Sequence, residues 1–360
     1  MKTWIALMGK RDAPTDGVED YCVFLGNALS QHGVDLKQVR VSWSDAGWNR
    51  ALRELRQSSG SWRGEWALVQ YTGLGWSRRG FPFGAARVVN LLSRQGVRCA
   101  LVFHEFARQS TGQRWIDRIR GACQDAVIRR LYRQASAAIF TVPLETVPWL
   151  PPQDRKAVFI PIGANIPERL GPRQSPVAGG SKTVAIFGVT EAPHTASESE
   201  TIAAIARQAA RIVPNLRLVV VGRGSLEAGK LLAPALSGDG VKVVAKGVLP
   251  AEVVASELEA ADAFLFIRGP ITPQRGSALA GIACGLPIVG YRNGRIVPPL
   301  DDAGIEWATL GDTDALARGL VRVLTDPQRW AELRERNLRL QAETLSWGRI
   351  ACRYLGALSE

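Results

Sequence analysis

Residues 264–291, FLFIRGPITPQRGSALAGIACGLPIVGY, constrain the fold more than any other stretch of the chain. A short apolar run at 263–267 leads into a loop rich in Gly, Pro and Thr. A helix of small residues is expected over 277–284, and Gly285-Leu286-Pro287 hands the chain to a second apolar run at 288–291. Strand, helix and strand in such close succession are the unit of a parallel sheet covered by helices. The loop-to-helix junction carries the chemistry. Arg275-Gly276-Ser277 places a fixed positive charge, a flexible backbone and an N-cap hydroxyl where a helix exposes unpaired N–H groups. That is an anion site in outline, and phosphate is the expected anion. The same three residues also fit an ordinary capped junction with a surface arginine.

The strand–helix alternation runs through the whole chain. In the first half, strands are expected at 4–8, 36–41, 66–71, 98–103, 137–140 and 158–162, with helices at 18–33, 48–56, 85–95 and 114–134. Residues 168–182, ERLGPRQSPVAGGSK, interrupt it with Pro, Gly and Ser and little apolar content, which marks a linker. After it the pattern restarts: strands at 183–187, 216–221 and 241–245, helices at 198–212, 251–260, 312–325 and 327–341, and a final amphipathic segment at 347–358. A chain of 360 residues also exceeds one typical core. The expectation is an α/β protein of two doubly wound, Rossmann-like domains: 1–168, a hinge at 169–182, then 183–345. A C-terminal helix at 346–360 is expected to cross back to the first domain.

Composition narrows the function classes. Hydrophobic residues at 46% and charged residues at 22% describe a soluble globular protein, and no run approaches the apolar length of a membrane span. The five cysteines, at 22, 99, 123, 284 and 352, have no paired spacing, and the three histidines are far apart. Neither a disulfide framework nor a metal signature is legible, and a reducing, cytoplasmic setting is expected. Net charge is +12, and residues 1–168, with 23 Lys and Arg against 14 Asp and Glu, hold +9 of it. Such a surplus suits polyanions, acidic headgroups or a phosphorylated ligand. No stretch resembles an RNA- or DNA-binding module, so no nucleic-acid partner is expected.

Three features of the first half invite function. Asp16-Gly17 sits at the first strand-to-helix turn, where glycine lets a ligand or a neighbouring backbone approach, or simply makes a turn. His104-Glu105 follows the apolar strand VRCALVF, at the end of the sheet where ligands gather. A histidine there can hold a substrate hydroxyl or share a proton, or serve the structure alone. In WSRRGFPFG, residues 76–84, aromatics interleave with Arg78 and Arg79. That loop suits a membrane interface or a phosphorylated acceptor, and equally a packed loop with solvated arginines. The arginine-rich helix at 114–134 reads as a solvated face or as a contact with an acidic membrane.

Taken together, these segments resemble a GT-B glycosyltransferase, most closely the retaining group called family 4. The resemblance rests on DGVEDYCVFLGNALSQHG (16–33), FHE (103–105) and IPIGANIP (160–167) in the first half. In the second half it rests on VVVGRGS (219–225), KGVLPAEVVASELEAADAFLF (246–266) and above all GIACGLPIVG (281–290). It implies two domains facing across a cleft, with a UDP- or GDP-type sugar donor on the second and the acceptor on the first. Closure would exclude water, and basic side chains with helix amides, rather than a metal or other cofactor, would neutralise the leaving diphosphate.

By that resemblance, Gly188, Thr190, Arg223, Val248, Arg275, Gly276 and Ser277 would bind the donor. His104 and Arg275 would be catalytic, and Asp16, Gly17, Arg78 and Arg79 would lie on the acceptor side. The acceptor would be a glycan, a lipid-linked sugar or a small molecule, as in polysaccharide biosynthesis, with the basic first domain at the inner face of an anionic membrane. Two departures stand out. Thr272 and Ala280 occupy the positions of the family's paired glutamates. Phe187-Gly188-Val189-Thr190 stands where an arginine and a lysine for the diphosphate are usual. Arg275-Gly276-Ser277 looks like the replacement; the alternative is a degenerate, non-catalytic member acting as a sugar-binding or partner subunit.

Overall fold

A computed structural model describes residues 2–12, 16–104, 114–151, 154–171 and 180–359. Glu105, the middle of the expected linker (172–179) and residues 13–15 of the first loop lie outside them. The chain divides into two compact units, Met1–Ile162 with Trp347–Glu360, and Gly163–Ser346. Residues 163–168, expected at the end of the first domain, group with the second unit. Arg169 N–H donates to the Ala283 carbonyl and Arg334 to the Gly171 carbonyl, which ties that stretch down.

The first unit runs β1 (Lys2–Met8), α1 (Gly17–Ser30), β2 (Val34–Arg40), α2 (Trp43–Ala46), α3 (Trp48–Ser58), β3 (Trp66–Tyr71), α4 (Phe83–Arg94), β4 (Arg98–Phe103), α5 (Arg114–Gln134), β5 (Ala137–Phe140) and β6 (Ala157–Phe159). The second runs β7 (Lys182–Phe187), α6 (Thr195–Ala210), β8 (Leu216–Val221), α7 (Ser225–Ala235), β9 (Lys242–Ala245), α8 (Ala251–Glu259), β10 (Ala263–Pro270), α9 (Gly276–Ala283), β11 (Ile288–Arg292), β12 (Ile305–Thr309), α10 (Thr313–Thr325) and α11 (Pro327–Leu340). A π-helical turn, Gln341–Leu345, precedes α12 (Trp347–Leu358), which belongs to the first unit.

Every strand pairing among the described residues is parallel. The first sheet has the order β2-β1-β3-β4-β5-β6 and the second β12-β11-β10-β7-β8-β9. Central strands such as β3 and β4 are buried along almost their whole length, which is why they read as continuous apolar runs. In the first sheet the strand order reverses between β1 and β3, and in the second between β7 and β10. Loops leaving those strands at their carboxyl ends are where an open α/β sheet receives a ligand.

Helix α7 has no counterpart among the sequence expectations. Gly229 and Pro234 weaken its helical signal, yet Gly229 is needed: a Cβ there would lie 2.4 Å from the Ala245 Cβ on β9. Tight helix-on-strand packing overrides propensity. Among the described residues no helix is long and apolar enough to cross a membrane, and no group of three His, Cys, Asp or Glu side chains could hold a metal ion. All five cysteines are free thiols.

Candidate functional site

In the second unit the carboxyl ends of β7 and β10, at the switch in strand order, bring four polar residues together. Thr190, just past β7, donates its N–H to Glu198 Oε2 at 2.7 Å and its hydroxyl to Glu198 Oε1 at 2.6 Å. Arg268, near the end of β10, donates from Nε to the Thr190 hydroxyl at 3.3 Å. Arg275 opens α9, and its guanidinium makes no hydrogen bond or ion pair with any described residue. Burial, first, and the charge of Arg268, second, hold its pKa below the ordinary arginine value, with Glu198 opposing. Two guanidinium charges act against each other here, with Glu198 the carboxylate opposing them at Arg275, so this spot carries positive charge that an anion would relieve.

The helix start differs from expectation in one respect. Arg275, not Ser277, is the N-cap residue, and no side chain caps α9. Ser277 lies in the first turn instead, so its hydroxyl cannot reach forward to the first amides as a cap would. The consequence favours a ligand: the Ser277 N–H and hydroxyl bond to none of the described residues, whereas the Gly276 and Ala278 amides donate to Gln274 and Arg275 carbonyls. A Cβ on Gly276 would meet nothing within 4 Å, so the approach to this helix end is open.

A second correction concerns the backbone after β7. The amides of Gly188, Val189 and Thr190 are already engaged, with the carbonyls of Val221 and Arg223 and with Glu198. None of the three is spare for a phosphate. Gly188 matters sterically instead: its φ is +80°, and a Cβ would sit 3.0 Å from Arg268 Nη1. Arg223 anchors the neighbouring turn through its carbonyl, and Gly224, φ +68°, lies so close to Val189 that a Cβ would meet the Val189 carbonyl oxygen at 2.4 Å. Val248, beyond β9, is exposed. Thr272 is exposed and its carbonyl accepts from the Arg275 N–H; Ala280 is buried inside α9.

In the first unit His104 follows β4 and is half-buried. Its Nε2 lies 2.7 Å from Gln70 Oε1, and the Tyr21 ring meets it edge-on at 4.9 Å. Because Gln70 Oε1 can only accept, Nε2 carries the proton and Nδ1 is the acceptor nitrogen. Burial pushes the imidazole pKa down to about 4, with Asp16 opposing, so the ring is neutral near pH 7. Asp16 is chiefly a cap: it accepts from the Val18 and Glu19 amides at 3.1 and 3.2 Å, and pairs with Arg40 at 3.3 Å. Gly17 begins α1.

The aromatic loop is a packed one. Trp76 is buried and donates to the Gln70 carbonyl, while Arg120 and Gln124 of α5 hold the carbonyls of Arg79 and Gly80 at 2.9 Å each. Arg78 donates to the Ser44 carbonyl, and both Arg78 and Arg79 remain exposed. Of the aromatic side chains in this stretch, Phe83, 52% exposed, is the one that projects.

Sequence reasoning singled out Arg275 but not Arg268 or Glu198, which the structure places beside it. A signal for Arg268 existed: a charge at the carboxyl end of the apolar run AFLFI. Glu198 lies far from both in sequence, and nothing local distinguishes it from other first-turn acids of a helix.

Residues 188–326, which contain this cluster, match the family described as Glycosyl transferases group 1. No curated protein matches the chain. Among solved structures, sucrose-phosphate synthase from Thermosynechococcus elongatus is similar at TM-score 0.65 and 18% identity over 100% of both chains. The Anabaena protein HepE in complex with UDP and glucose gives 0.64 at 14% identity, again over 100% of both. A glycosyltransferase from Rickettsia africae gives 0.66 at 10%, over 99% of this chain and 97% of that one. The fold is therefore GT-B, as the sequence resemblance implied.

Proposed function

We propose that this chain is a retaining glycosyltransferase that moves a sugar from a nucleotide-diphosphate sugar to a glycan or lipid-linked acceptor. One observation carries the reading: Arg268, Arg275 and the unpaired Ser277 N–H converge at the strand-order switch of a parallel sheet, within the matched region. Two guanidiniums suit the two phosphates of a leaving diphosphate, and the helix end adds an N–H donor. Thr190 and Glu198 position Arg268. The donor is a nucleotide sugar of the UDP or GDP type, and the UDP and glucose bound by HepE make UDP-glucose the first to try.

The acceptor hydroxyl oxygen attacks the anomeric carbon on the face from which the diphosphate departs. The carbon–phosphate-oxygen bond breaks, and the hydroxyl proton passes to a departing phosphate oxygen. Charge on the diphosphate grows as that bond lengthens, so Arg275 and Arg268 act most strongly in the transition state. His104, neutral, contacts a sugar hydroxyl through its ring, and Arg78 and Arg79 with the Asp16-Gly17 turn shape the acceptor side. No metal or cofactor is required for this sequence of steps. A cytoplasmic location, at the inner face of the membrane, belongs to the same proposal.

Ala280 supports a second reading. A buried methyl stands where the resemblance places a carboxylate for the nucleotide ribose, so a sugar-binding protein without transfer activity also fits. The two separate experimentally. A thermal-shift series with UDP, GDP, ADP and their sugars, followed by slow hydrolysis of the best ligand without acceptor, identifies an enzyme. Stabilisation without any turnover identifies the binding protein, and no stabilisation by any nucleotide defeats both.

A further inference from the structure

Helices α3 and α4 lie side by side on the first unit and enclose an open groove of about 640 Å3. Its walls repeat one pattern. Arg53 and Arg56 line it from α3, and Arg87 and Arg94 from α4. All four are exposed, and none makes an ion pair or side-chain hydrogen bond with a described residue. Glu54, the nearest acid in the chain, does not line the groove and is paired with Arg50 at 2.7 Å.

The spacing accounts for the alignment. Asn49, Leu52, Arg53 and Arg56 stand at i, i+3, i+4 and i+7 of α3, and Arg87, Asn90, Leu91 and Arg94 repeat it on α4. Each set falls on one helix face. Both helices follow strands of one parallel sheet, so they run the same way, from the carboxyl edge of the sheet towards its amino edge. Each set therefore covers about 10 Å of its helix, seven residues at the helical rise, with Arg87 and Arg94 at the two ends on α4 and Arg53 and Arg56 about 4.5 Å apart along α3.

We propose that this groove binds an acidic oligosaccharide chain. Guanidiniums on both walls meet carboxylate, phosphate or sulfate groups along such a chain, and each fork can hold two oxygens. The Asn49 and Asn90 amides supply hydrogen bonds for hydroxyls; the Asn90 oxygen already accepts from Gln134 at 2.8 Å, which leaves its N–H2 to donate. The half-buried Leu52 and Leu91 give an apolar floor for the C–H face of a sugar ring. Two other polyanions fit less well. No aromatic residue lines the groove for a nucleobase to stack on. The surface is concave, and none of the exposed large apolar residues lines it, so it offers a bilayer nothing to insert. The choice of a glycan rests on the transferase reading above.

The test is fluorescence anisotropy of labelled hexagalacturonate with the whole chain, at low and at high NaCl. The expected result is saturable binding that weakens with salt and is not displaced by neutral maltohexaose. R53Q/R56Q/R87Q/R94Q should raise the Kd at least tenfold, and each same-helix double variant should fall between. All four positions are exposed, so circular dichroism of the variants should match that of the parent. UDP stabilisation should persist in the quadruple variant, and Arg275→Ala should leave hexagalacturonate binding unchanged. Absence of binding, or an unchanged Kd in the quadruple variant, overturns the proposal. So does tighter, arginine-dependent binding of phosphatidylglycerol vesicles or of an oligothymidylate. Loss of every nucleotide effect with hexagalacturonate binding intact would count against the transferase reading alone.

Discussion

The hydroxyls of Tyr21 on α1 and Tyr354 on α12 lie 2.6 Å apart, 333 residues from one another in sequence. Both side chains are buried, and burial pushes the pKa of each phenol far up, so the two share one neutral hydrogen bond. The pair fixes the last helix against the first. Trp347 packs edge-on to Tyr21, and the Trp66 indole donates to the Leu358 carbonyl at 3.0 Å. The same Tyr21 ring meets His104, so the C-terminal helix supports the floor on which that histidine stands.

Tyr354→Phe should therefore destabilise the protein by about 1–2 kcal/mol, because the Tyr21 hydroxyl is left buried without this partner. Tyr354→Ala should cost about 3–5 kcal/mol through the added cavity. Urea unfolding of both variants checks the order, and equal losses would contradict the hydrogen-bond account.

Arg275→Ala and Arg268→Ala should each weaken nucleoside-diphosphate binding by about tenfold or more, the scale of a lost charge-assisted hydrogen bond. Isothermal titration with UDP and GDP measures this. Unchanged affinity in Arg275→Ala would place the diphosphate elsewhere.

Gly188→Ala should reproduce part of the Arg268 effect. The new Cβ would lie 3.0 Å from Arg268 Nη1, and an alanine at φ +80° costs roughly 1–2 kcal/mol. The strain appears in stability and the displaced guanidinium in binding. In a double-mutant cycle with Arg268→Ala the binding effects should fall short of additive, whereas the stability effects should add.

His104 predicts a pH dependence. Its folded pKa of about 4 lies below the ordinary value of 6.5, so between those values the unfolded chain binds more protons. Stability from this group is complete above the upper value and is lost as pH falls towards the lower one, with a ceiling of about 3 kcal/mol. His104→Gln should flatten that part of the stability–pH curve relative to the parent. If His104 contacts the reacting sugar, the same substitution should cut kcat more than donor affinity; equal losses would mark a structural role.

Much of the architecture was legible before any coordinates. The run at 264–291 announced a strand, a loop, a small-residue helix and a strand, and β10, α9 and β11 follow within a few residues. Periodicity and turn chemistry are local, so a window of ten to twenty residues contains them. The choice of Arg275 was local for the same reason: it sits where a helix begins.

What the sequence determined by itself was the alternation of apolar strands and amphipathic helices, hence two parallel sheets, and an arginine at the start of one small-residue helix. Tertiary structure alone decided which distant side chains share a place. Arg268 reaches Thr190, Glu198 engages the amide after β7, and Tyr354 finds Tyr21. Two helices separated by a strand align four arginines along one groove. Such meetings depend on strand order and on the direction of each crossover. No residue encodes them alone, because the free energy that selects them is that of the whole packed sheet.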